Sequence, residues 1–329
     1  MTTPALNHVI IGGGSWGTAI GTALMRAKQN VTLLVRSAST IEALSGGRCQ
    51  QLPDLKPAAP LVGTMNPNCL ASADCIFVVV PVAATISSLE TISATARPGT
   101  IIVLCAKGLV SDPELKRGGI ILTEIADNKL TGFPHVVFSG PSFADEVILG
   151  KPAAVTAASS DQDAIAIVQH AFEGSNIRLY GNDDPIGVAI GGAMKNVIAI
   201  ASGCAVGLGL GDNAKAAILT RGLAEMARFA TAMGADANTI YGLSGVGDLA
   251  LTCSGPHSRN MAYGMALGEG KIPDSKLAEG RHTVAALAAR AATMQIEMPI
   301  TNAVDRVVNH GDNLANVVAS LLARKAGTE

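Results

Sequence analysis

Residues 8–18 read HVIIGGGSWGT, and this stretch decides the fold. A short apolar run leads into Gly12-x-Gly14-x-x-Gly17, and a helical pattern begins at Thr18. In a strand–turn–helix unit, the first glycine allows a tight turn, the second lets the backbone approach a pyrophosphate, and the third packs helix on strand. The helix N-terminus offers unpaired N–H groups to the phosphates. The stretch therefore predicts a dinucleotide-binding site, although a glycine-rich turn without a ligand would show the same letters.

Apolar runs alternate with helical patterns through the first half of the chain, which is typical of βαβ units and a parallel sheet. The later runs are Val31–Val35, Cys75–Val80, Ile101–Leu104, Val136–Phe138, Ala153–Ala157 and Ile177–Leu179. After residues 183–185, long helical patterns dominate, at 186–206 and 213–233. We therefore predict an α/β domain over residues 1–182 and a helical domain over residues 183–329.

The composition limits the classes of partner. The 329 residues carry a formal net charge of −2 at a pI of about 6.3. A nucleic-acid-binding chain normally shows a basic excess, so no nucleic-acid partner is expected. The mean hydropathy of +0.36 is high, and residues 188–211 are the best candidate for a membrane span. Lys195 and Asn196 lie at the centre of this segment, and a lysine at the bilayer midplane costs at least ~3 kcal/mol. The segment is therefore interpreted as a buried helix, with no integral membrane segment.

The N-terminus shows no basic region and no cleavage site of a signal peptide. The six cysteines form no C-x-x-C pair and have no metal-ligand spacing. Cysteines scattered in apolar runs usually serve as small core residues in a reducing compartment. We therefore expect a cytoplasmic protein without a metal site.

The end of the second apolar run bears on the choice of dinucleotide. NAD-specific folds usually place an acidic residue there to hold the ribose 2′-hydroxyl. Here the chain has Arg36, and the nearest acid is Glu42. An arginine can pair with the 2′-phosphate of NADP, but it can also be a solvated residue at a strand end. The pattern favours NADP(H) and leaves NAD(H) open.

Two lysines lie where chemistry is plausible. Lys195 lies in a helical pattern that is almost free of charge, where burial would lower its pKa toward the range of a general acid or base. A structural lysine that snorkels to the surface fits the same pattern. Lys107 follows the run Ile101–Leu104, at the carboxyl end where ligands of open α/β sheets bind, but an ordinary loop lysine is the alternative. Residues 139–143, SGPSF, follow another strand in the same way.

A glycine-rich segment in the second half, residues 242–260, contains Asp248, Thr252 and the sequence Ser-Arg-Asn at 258–260. Its N–H, hydroxyl and guanidinium groups suit a phosphate or a polyol. The same composition also suits a polar surface loop, and both interpretations stay open.

Taken together, these stretches resemble the glycerol-3-phosphate dehydrogenase family, particularly its bacterial NAD(P)-dependent branch. The matching elements are Gly12–Ala19, Lys107-Gly108-Leu109, Ser139–Ala144, Lys195-Asn196, Gly247-Asp248-Leu249 with Thr252-Cys253, Ser258-Arg259-Asn260 and Glu297–Ile300. They occur in the family's order. The segment Leu277-Ala278-Glu279-Gly280 departs from the usual β-branched residues, and nothing after Ile300 matches.

The resemblance implies a Rossmann-type parallel-sheet N-terminal domain and an all-α C-terminal domain, with the active site in the cleft between them. It implies Lys195 as the proton donor and acceptor. Implied substrate-binding residues are Lys107, Gly140, Ser142, Lys195, Asp248, Thr252, Ser258, Arg259 and Asn260. Implied cofactor-binding residues are Gly12, Gly14, Ser15, Trp16, Gly17, Arg36, Lys107, Ala144, Arg259, Leu277 and Glu279.

The implied reaction reduces dihydroxyacetone phosphate to sn-glycerol 3-phosphate with NADPH or NADH and supplies phospholipid synthesis. A cytoplasmic homodimer is the implied assembly. One rival is a dehydrogenase of the β-hydroxyacid or 6-phosphogluconate type, which shares the architecture and a catalytic lysine. A non-catalytic NADPH-binding sensor is the second rival, and it would need neither Lys195 nor Lys107.

Overall fold

The computed structural model of the chain describes residues 5–57, 59–111, 118–273 and 278–323. The chain divides into two compact units. Unit 1 contains Met1–Ala106 and Leu122–Val188, and unit 2 contains Lys107–Ile121 and Ala189–Glu329.

Unit 1 is built on one sheet of eight strands. The strands are β1 Asn7–Ile11, β2 Asn30–Leu34, β3 Val62–Thr64, β4 Cys75–Val78, β5 Ile101–Leu104, β8 His135–Ser139, β9 Ala153–Ala158 and β10 Ile177–Asn182. Its helices are α1 Ser15–Arg26, α2 Ala38–Ser45, α3 Thr85–Thr95, α4 Leu122–Lys129, α5 Ala144–Ile148 and α6 Gln162–Ala171.

The strand order is β3-β2-β1-β4-β5-β8-β9-β10. The six strands from β3 to β8 run parallel and form the Rossmann arrangement. The parallel sheet was predicted, whereas the strand β3 was not. β9 pairs antiparallel with β8, and β10 then runs parallel to β9, so the far end of the sheet reverses direction. The chain order switches between β1 and β4, and ligands of such sheets bind outside the carboxyl ends of the strands at this point.

The core of unit 1 explains why its strands are apolar on both faces. Every residue of β4 and β5 is buried, which is the pattern of parallel strands covered by helices. Phe77 of β4 and Phe138 of β8 meet edge to face, with ring centroids 6.3 Å apart. The ring of Phe172 packs against both of these rings, with centroid distances of 5.9 Å to Phe77 and 5.5 Å to Phe138.

Unit 2 is mostly helical, as predicted. Its helices are α7 Pro185–Gly207, whose first turn belongs to unit 1, α8 Gly211–Ala232, α9 Ala237–Ile240, α10 Asp248–Thr252, α11 Arg259–Gly268, α12 Glu279–Thr293, α13 Pro299–His310 and α14 Leu314–Leu322. It also contains an antiparallel pair of strands, β6 Leu109–Ser111 and β7 Gly119–Ile121, which the sequence did not predict.

The division of the chain differs from the sequence-based boundary at residue 182 in two respects. The second unit begins at Ala189 rather than at residue 183, and it also includes Lys107–Ile121 from the first half of the sequence. The physical reason is packing, because both β6 and β7 contact α12.

The apolar helix α7 is largely buried within the protein. It is long and apolar enough to span a membrane, but 94% of its most apolar window is buried in the protein. Its glycines allow close contact with α11: a Cβ added at Gly203 would lie 2.3 Å from the carbonyl oxygen of Met261, and one at Gly264 would lie 2.1 Å from that of Ile200. The two helices therefore meet backbone to backbone.

Candidate active site

The glycine loop after β1 has the geometry that its sequence predicts. Gly12 has φ +120°, and a Cβ there would lie 2.4 Å from the carbonyl oxygen of Val79. A Cβ at Gly17 would lie 2.0 Å from the carbonyl oxygen of Gly12. Neither position can therefore carry a side chain without moving the backbone. A Cβ at Gly14 would meet no heavy atom of the described chain within 4 Å, so the space beside the loop is open.

The N-terminus of α1 faces this loop without a side-chain cap. Gly14 is its N-cap residue and makes no side-chain hydrogen bond, which leaves the first N–H groups, from Ser15 onward, available to an anion. The ring of Trp16 lies 6.3 Å from that of Phe138. Its buried indole N–H has no hydrogen-bond partner among the residues that the structure describes. The open space, the uncapped helix and the tight glycines fit the pyrophosphate of a dinucleotide.

Arg36 lies two residues beyond the end of β2 and is exposed. β1 and β2 pair in register, with Ile11 opposite Leu34, and the N–H of Gly12 donates to the carbonyl oxygen of Leu34 at 3.0 Å. The strand pairing therefore places Arg36 beside the glycine loop. The next residue, Ser37, caps α2 through a hydrogen bond from the N–H of Thr40.

The segment after β8 forms a second loop of unit 1. Gly140 has φ +151°, and a Cβ there would lie 3.0 Å from the Cα of Val155. The hydroxyl of Ser142 donates to the carbonyl oxygen of Gly140 at 3.1 Å, and Ala144 begins α5. These loop residues are therefore held by backbone contacts within unit 1.

Unit 2 contains a buried cluster of two lysines and one aspartate. The ammonium nitrogens of Lys107 and Lys195 each lie 2.6 Å from one oxygen of Asp248. Lys195 also donates to the hydroxyl of Thr252 at 3.0 Å. Asp248 is 1% exposed. Its single negative charge offsets one of the two ammonium charges, so the three side chains together carry a formal charge of +1. A cationic, largely buried cluster of this kind suits a substrate on which negative charge develops.

The electrostatics of the cluster set the protonation of Lys195. Burial lowers the pKa of Lys195 to about 8, an effect that Asp248 opposes and Lys107 reinforces. Burial alone would raise the pKa of Asp248, but the two ammonium groups and their hydrogen bonds outweigh it and hold that pKa below its ordinary value. Lys195 is therefore an ammonium group at neutral pH that can exchange its proton close to that range.

A chain of hydrogen bonds through two asparagine side chains connects Lys107 of this cluster to the start of α12. Asn196 donates to the carbonyl oxygen of Lys107 at 3.4 Å and accepts from the side chain of Asn260 at 2.9 Å. Asn260 in turn accepts from the N–H of Gly280 at 3.0 Å. Asn196 was not among the predicted site residues. Its signal in the sequence was a second polar residue beside Lys195 in an otherwise apolar helix.

The N-terminus of α11 carries the remaining polar residues. Ser258 caps this helix through a hydrogen bond from the N–H of Met261 at 3.3 Å. Arg259 is the first residue of the helix and is exposed. A guanidinium group at the positive end of a helix favours an anion. Ser258 therefore has a structural role as the cap of α11, whereas the side chain of Arg259 is exposed at the N-terminus of this helix.

The structure sorts the predicted site residues by unit. Unit 1 holds Gly12, Gly14, Ser15, Trp16, Gly17, Arg36, Gly140, Ser142 and Ala144, and unit 2 holds Lys107, Lys195, Asp248, Thr252, Ser258, Arg259, Asn260 and Glu279. Glu279 begins α12, and its charge raises the pKa of Lys195. Leu277 lies outside the described residues.

Two family models match most of the chain. The family model described as the NAD-dependent glycerol-3-phosphate dehydrogenase N-terminus matches residues 8–165. The model of the C-terminus of the same family matches residues 184–319.

The chain is also similar to whole proteins of that family. A relative from Mesorhizobium japonicum named as an NAD(P)+ glycerol-3-phosphate dehydrogenase is 40% identical, over 97% of this chain and 93% of the relative. One of the same name from Methylobacterium radiotolerans is 43% identical, over 96% of each chain. The crystal structure of glycerol-3-phosphate dehydrogenase from Coxiella burnetii superposes with a TM-score of 0.90 at 34% identity, covering 97% of this chain and 99% of that one. The chain therefore belongs to the NAD-dependent glycerol-3-phosphate dehydrogenase family.

Proposed function

We propose that this protein is an oxidoreductase that reduces dihydroxyacetone phosphate to sn-glycerol 3-phosphate with NADPH or NADH. The observation that carries the proposal is the buried cluster of Lys195, Asp248 and Lys107 in unit 2. It occurs in a chain whose other unit presents a dinucleotide loop. The relatives are named as glycerol-3-phosphate dehydrogenases, and this name supplies the identity of the alcohol that the reduction forms.

A nicotinamide dinucleotide held by the glycine loop and the N-terminus of α1 would supply the hydride for reduction at C2 of the substrate. Lys195 donates its ammonium proton to the carbonyl oxygen and stabilises the negative charge that develops there. Asp248 holds the ammonium group through a 2.6 Å ion pair and keeps it charged at neutral pH. A positioned acid of this kind contributes roughly 10²–10⁴-fold in rate.

The other cations of unit 2 bind and orient the substrate. Arg259 holds the phosphate at the N-terminus of α11, and Asn260 and Thr252 contribute further polar groups to substrate binding. Binding energy from the remote phosphate then orients the ketone for reaction. Lys107 adds a second ammonium group beside Asp248. Unit 1 holds the dinucleotide with its glycine loop, Ser15 and Trp16.

A direct assay tests the activity. Purified protein is mixed with dihydroxyacetone phosphate and either NADPH or NADH, and the absorbance of the reduced nicotinamide is followed. Rapid oxidation of the nicotinamide supports the proposal. If the protein is folded and binds NADPH but does not oxidise either cofactor when dihydroxyacetone phosphate is added, the substrate assignment is contradicted. A panel of β-hydroxyacids and 6-phosphogluconate then distinguishes a related dehydrogenase from a non-catalytic sensor.

The pH dependence of the reaction should report Lys195. Because the ammonium form donates the proton, kcat/KM for ketone reduction is expected to fall as the pH rises through about 8, the pKa of Lys195. Oxidation of glycerol 3-phosphate needs the neutral amine as the base, so its rate should rise over the same range. Initial rates in both directions between pH 6 and 10 measure this. Parallel pH profiles for the two directions would contradict the role of Lys195.

Arg36 is expected to determine the preference for NADPH. A charge-assisted pair with the 2′-phosphate contributes about 1.5–3 kcal/mol, so Arg36→Ala should lower kcat/KM for NADPH roughly 10- to 100-fold relative to NADH. Steady-state kinetics with both cofactors measure the ratio. Arg48→Ala, at another arginine of unit 1, is the control and should leave the ratio unchanged. An unchanged ratio in Arg36→Ala would mean that Arg36 is only a solvated residue.

We also propose a cytoplasmic homodimer whose product enters phospholipid synthesis. The apolar composition supports a buried interface, and glycerol 3-phosphate is the polar backbone from which glycerophospholipids are built. Light scattering of the purified protein measures the assembly, and a monomer at micromolar concentration contradicts it.

A further inference from the structure

The β6–β7 pair is the part of the first half of the chain that belongs to unit 2. Lys107 lies two residues before β6 and is bound to Asp248 at 2.6 Å. Leu109 pairs with Ile121 and Ser111 with Gly119, so the two short strands form one body that begins beside Lys107. The position of this pair therefore bears directly on the position of the Lys107 ammonium group.

Two consecutive glycines fix the pair against α12. A Cβ at Gly118 would lie 2.6 Å from the backbone nitrogen of Arg290 and 2.8 Å from the carbonyl carbon of Ala289. A Cβ at Gly119 would lie 2.5 Å from the carbonyl oxygen of Ala286. These neighbours are helix backbone atoms, which cannot rotate away as a side chain can. Any side chain at these positions must push the strands off α12.

The helix that receives the glycines also reaches the site. In its first turn, the N–H of Gly280 donates to the side chain of Asn260 at 3.0 Å. Asn260 in turn is hydrogen-bonded to Asn196, which donates to the carbonyl oxygen of Lys107. Lys107 is thus held at its ammonium group by Asp248, at its carbonyl by Asn196, and through the following strands by α12.

We propose that Gly118 and Gly119 are positioning residues for the reaction, which act by seating the β6–β7 pair on α12 and so placing Lys107 against Asp248. This proposal rests on the proposed function, because it assumes that Lys107 contributes to turnover. A displacement of about 1 Å at a catalytic group can cost on the order of 10²-fold in rate. The expected effect of disturbing the glycines is therefore a loss of turnover that depends on Lys107.

Gly118→Asn tests the contact with little backbone strain, because asparagine tolerates the left-handed conformation of Gly118, φ +78°. Gly174→Asn is the matched control, since Gly174 has φ +84° and a Cβ there meets no heavy atom within 4 Å in the described ranges. We expect Gly118→Asn to lower kcat/KM for dihydroxyacetone phosphate on the order of 10²-fold. The control should stay within about twofold of the natural protein, as expected of a surface change.

A double-mutant cycle with Lys107→Ala separates positioning from a general loss of structure. In the Lys107→Ala background, Gly118→Asn should have almost no further effect on kcat/KM. An equal fold loss in both backgrounds, or a loss in Gly174→Asn as large as in Gly118→Asn, overturns the proposal. If Gly118→Asn does not fold, Ile120→Ala loosens the same strands without adding atoms and enters the same cycle. A natural protein that does not reduce dihydroxyacetone phosphate would contradict the proposed function instead.

Discussion

Replacing Lys195 with alanine is expected to lower the turnover number for ketone reduction by about 10²- to 10⁴-fold, with little change in NADPH affinity. The ammonium group that would donate the proton is removed, whereas the dinucleotide loop belongs to unit 1 and is untouched. The variant should remain folded because Asp248 keeps Lys107 as its partner at 2.6 Å. The remaining carboxylate is therefore not left buried without a counter-charge.

Stopped-flow or steady-state rates give the turnover number, and fluorescence titration with NADPH gives the affinity. Lys129→Ala is a matched control, since Lys129 is an exposed lysine paired with Glu90 at 3.0 Å. This control should leave both quantities unchanged. If Lys195→Ala weakens NADPH binding as much as it slows turnover, then Lys195 has a structural role rather than the role of an acid.

Asp248→Asn is expected to reduce activity and to move its pH dependence to lower values. Without the carboxylate, burial and the charge of Lys107 remain, and both lower the pKa of Lys195. In the variant, Lys195 would then lose its proton at a lower pH than in the natural protein, where its pKa is about 8. The ratio of the reduction rate at pH 6 to that at pH 8 should therefore rise, although both rates fall.

The same substitution should also destabilise the fold. Removing one partner of a buried ion pair typically costs about 3–5 kcal/mol, because a charge remains buried without compensation. Urea unfolding at pH 7 measures this cost. Asp312→Asn, at an exposed pair with Arg306 of 2.7 Å, is the control and should change stability by about 1 kcal/mol or less. A pH profile unchanged by Asp248→Asn would mean that Asp248 does not control the protonation of Lys195.

Much of the fold could be predicted from local sequence. Ile101–Leu104 was predicted at its observed bounds, and α7 within one residue at each end. The strands that were missed, β3, β6 and β7, have three residues each, too few to show a period. The sequence analysis also did not predict that β9 runs antiparallel to β8. The direction of a strand depends on the path of the connecting segment, and the residues of the strand itself do not determine it.

Spacing along the chain indicates candidate residue types for the site but not which of these residues contact one another. Lys195 was equally consistent with a structural and a catalytic role, because its partner Asp248 lies 53 residues away. The partner of Lys107 lies 141 residues away. Spacing along the chain carries no information on such contacts, whereas the glycine loop is local and its geometry could be predicted from eleven consecutive residues, 8–18.

The route of the backbone restricts how this protein can be recombined with a relative. The chain enters unit 2 at Lys107, returns to unit 1 at Leu122 and leaves it again after Val188. A chimera joined at residue 188 would therefore take its β6–β7 pair from one parent and the α12 surface beneath it from the other. Because Gly118 and Gly119 leave no space against that helix, domain exchange requires residues 107–121 and 189–323 to come from the same parent.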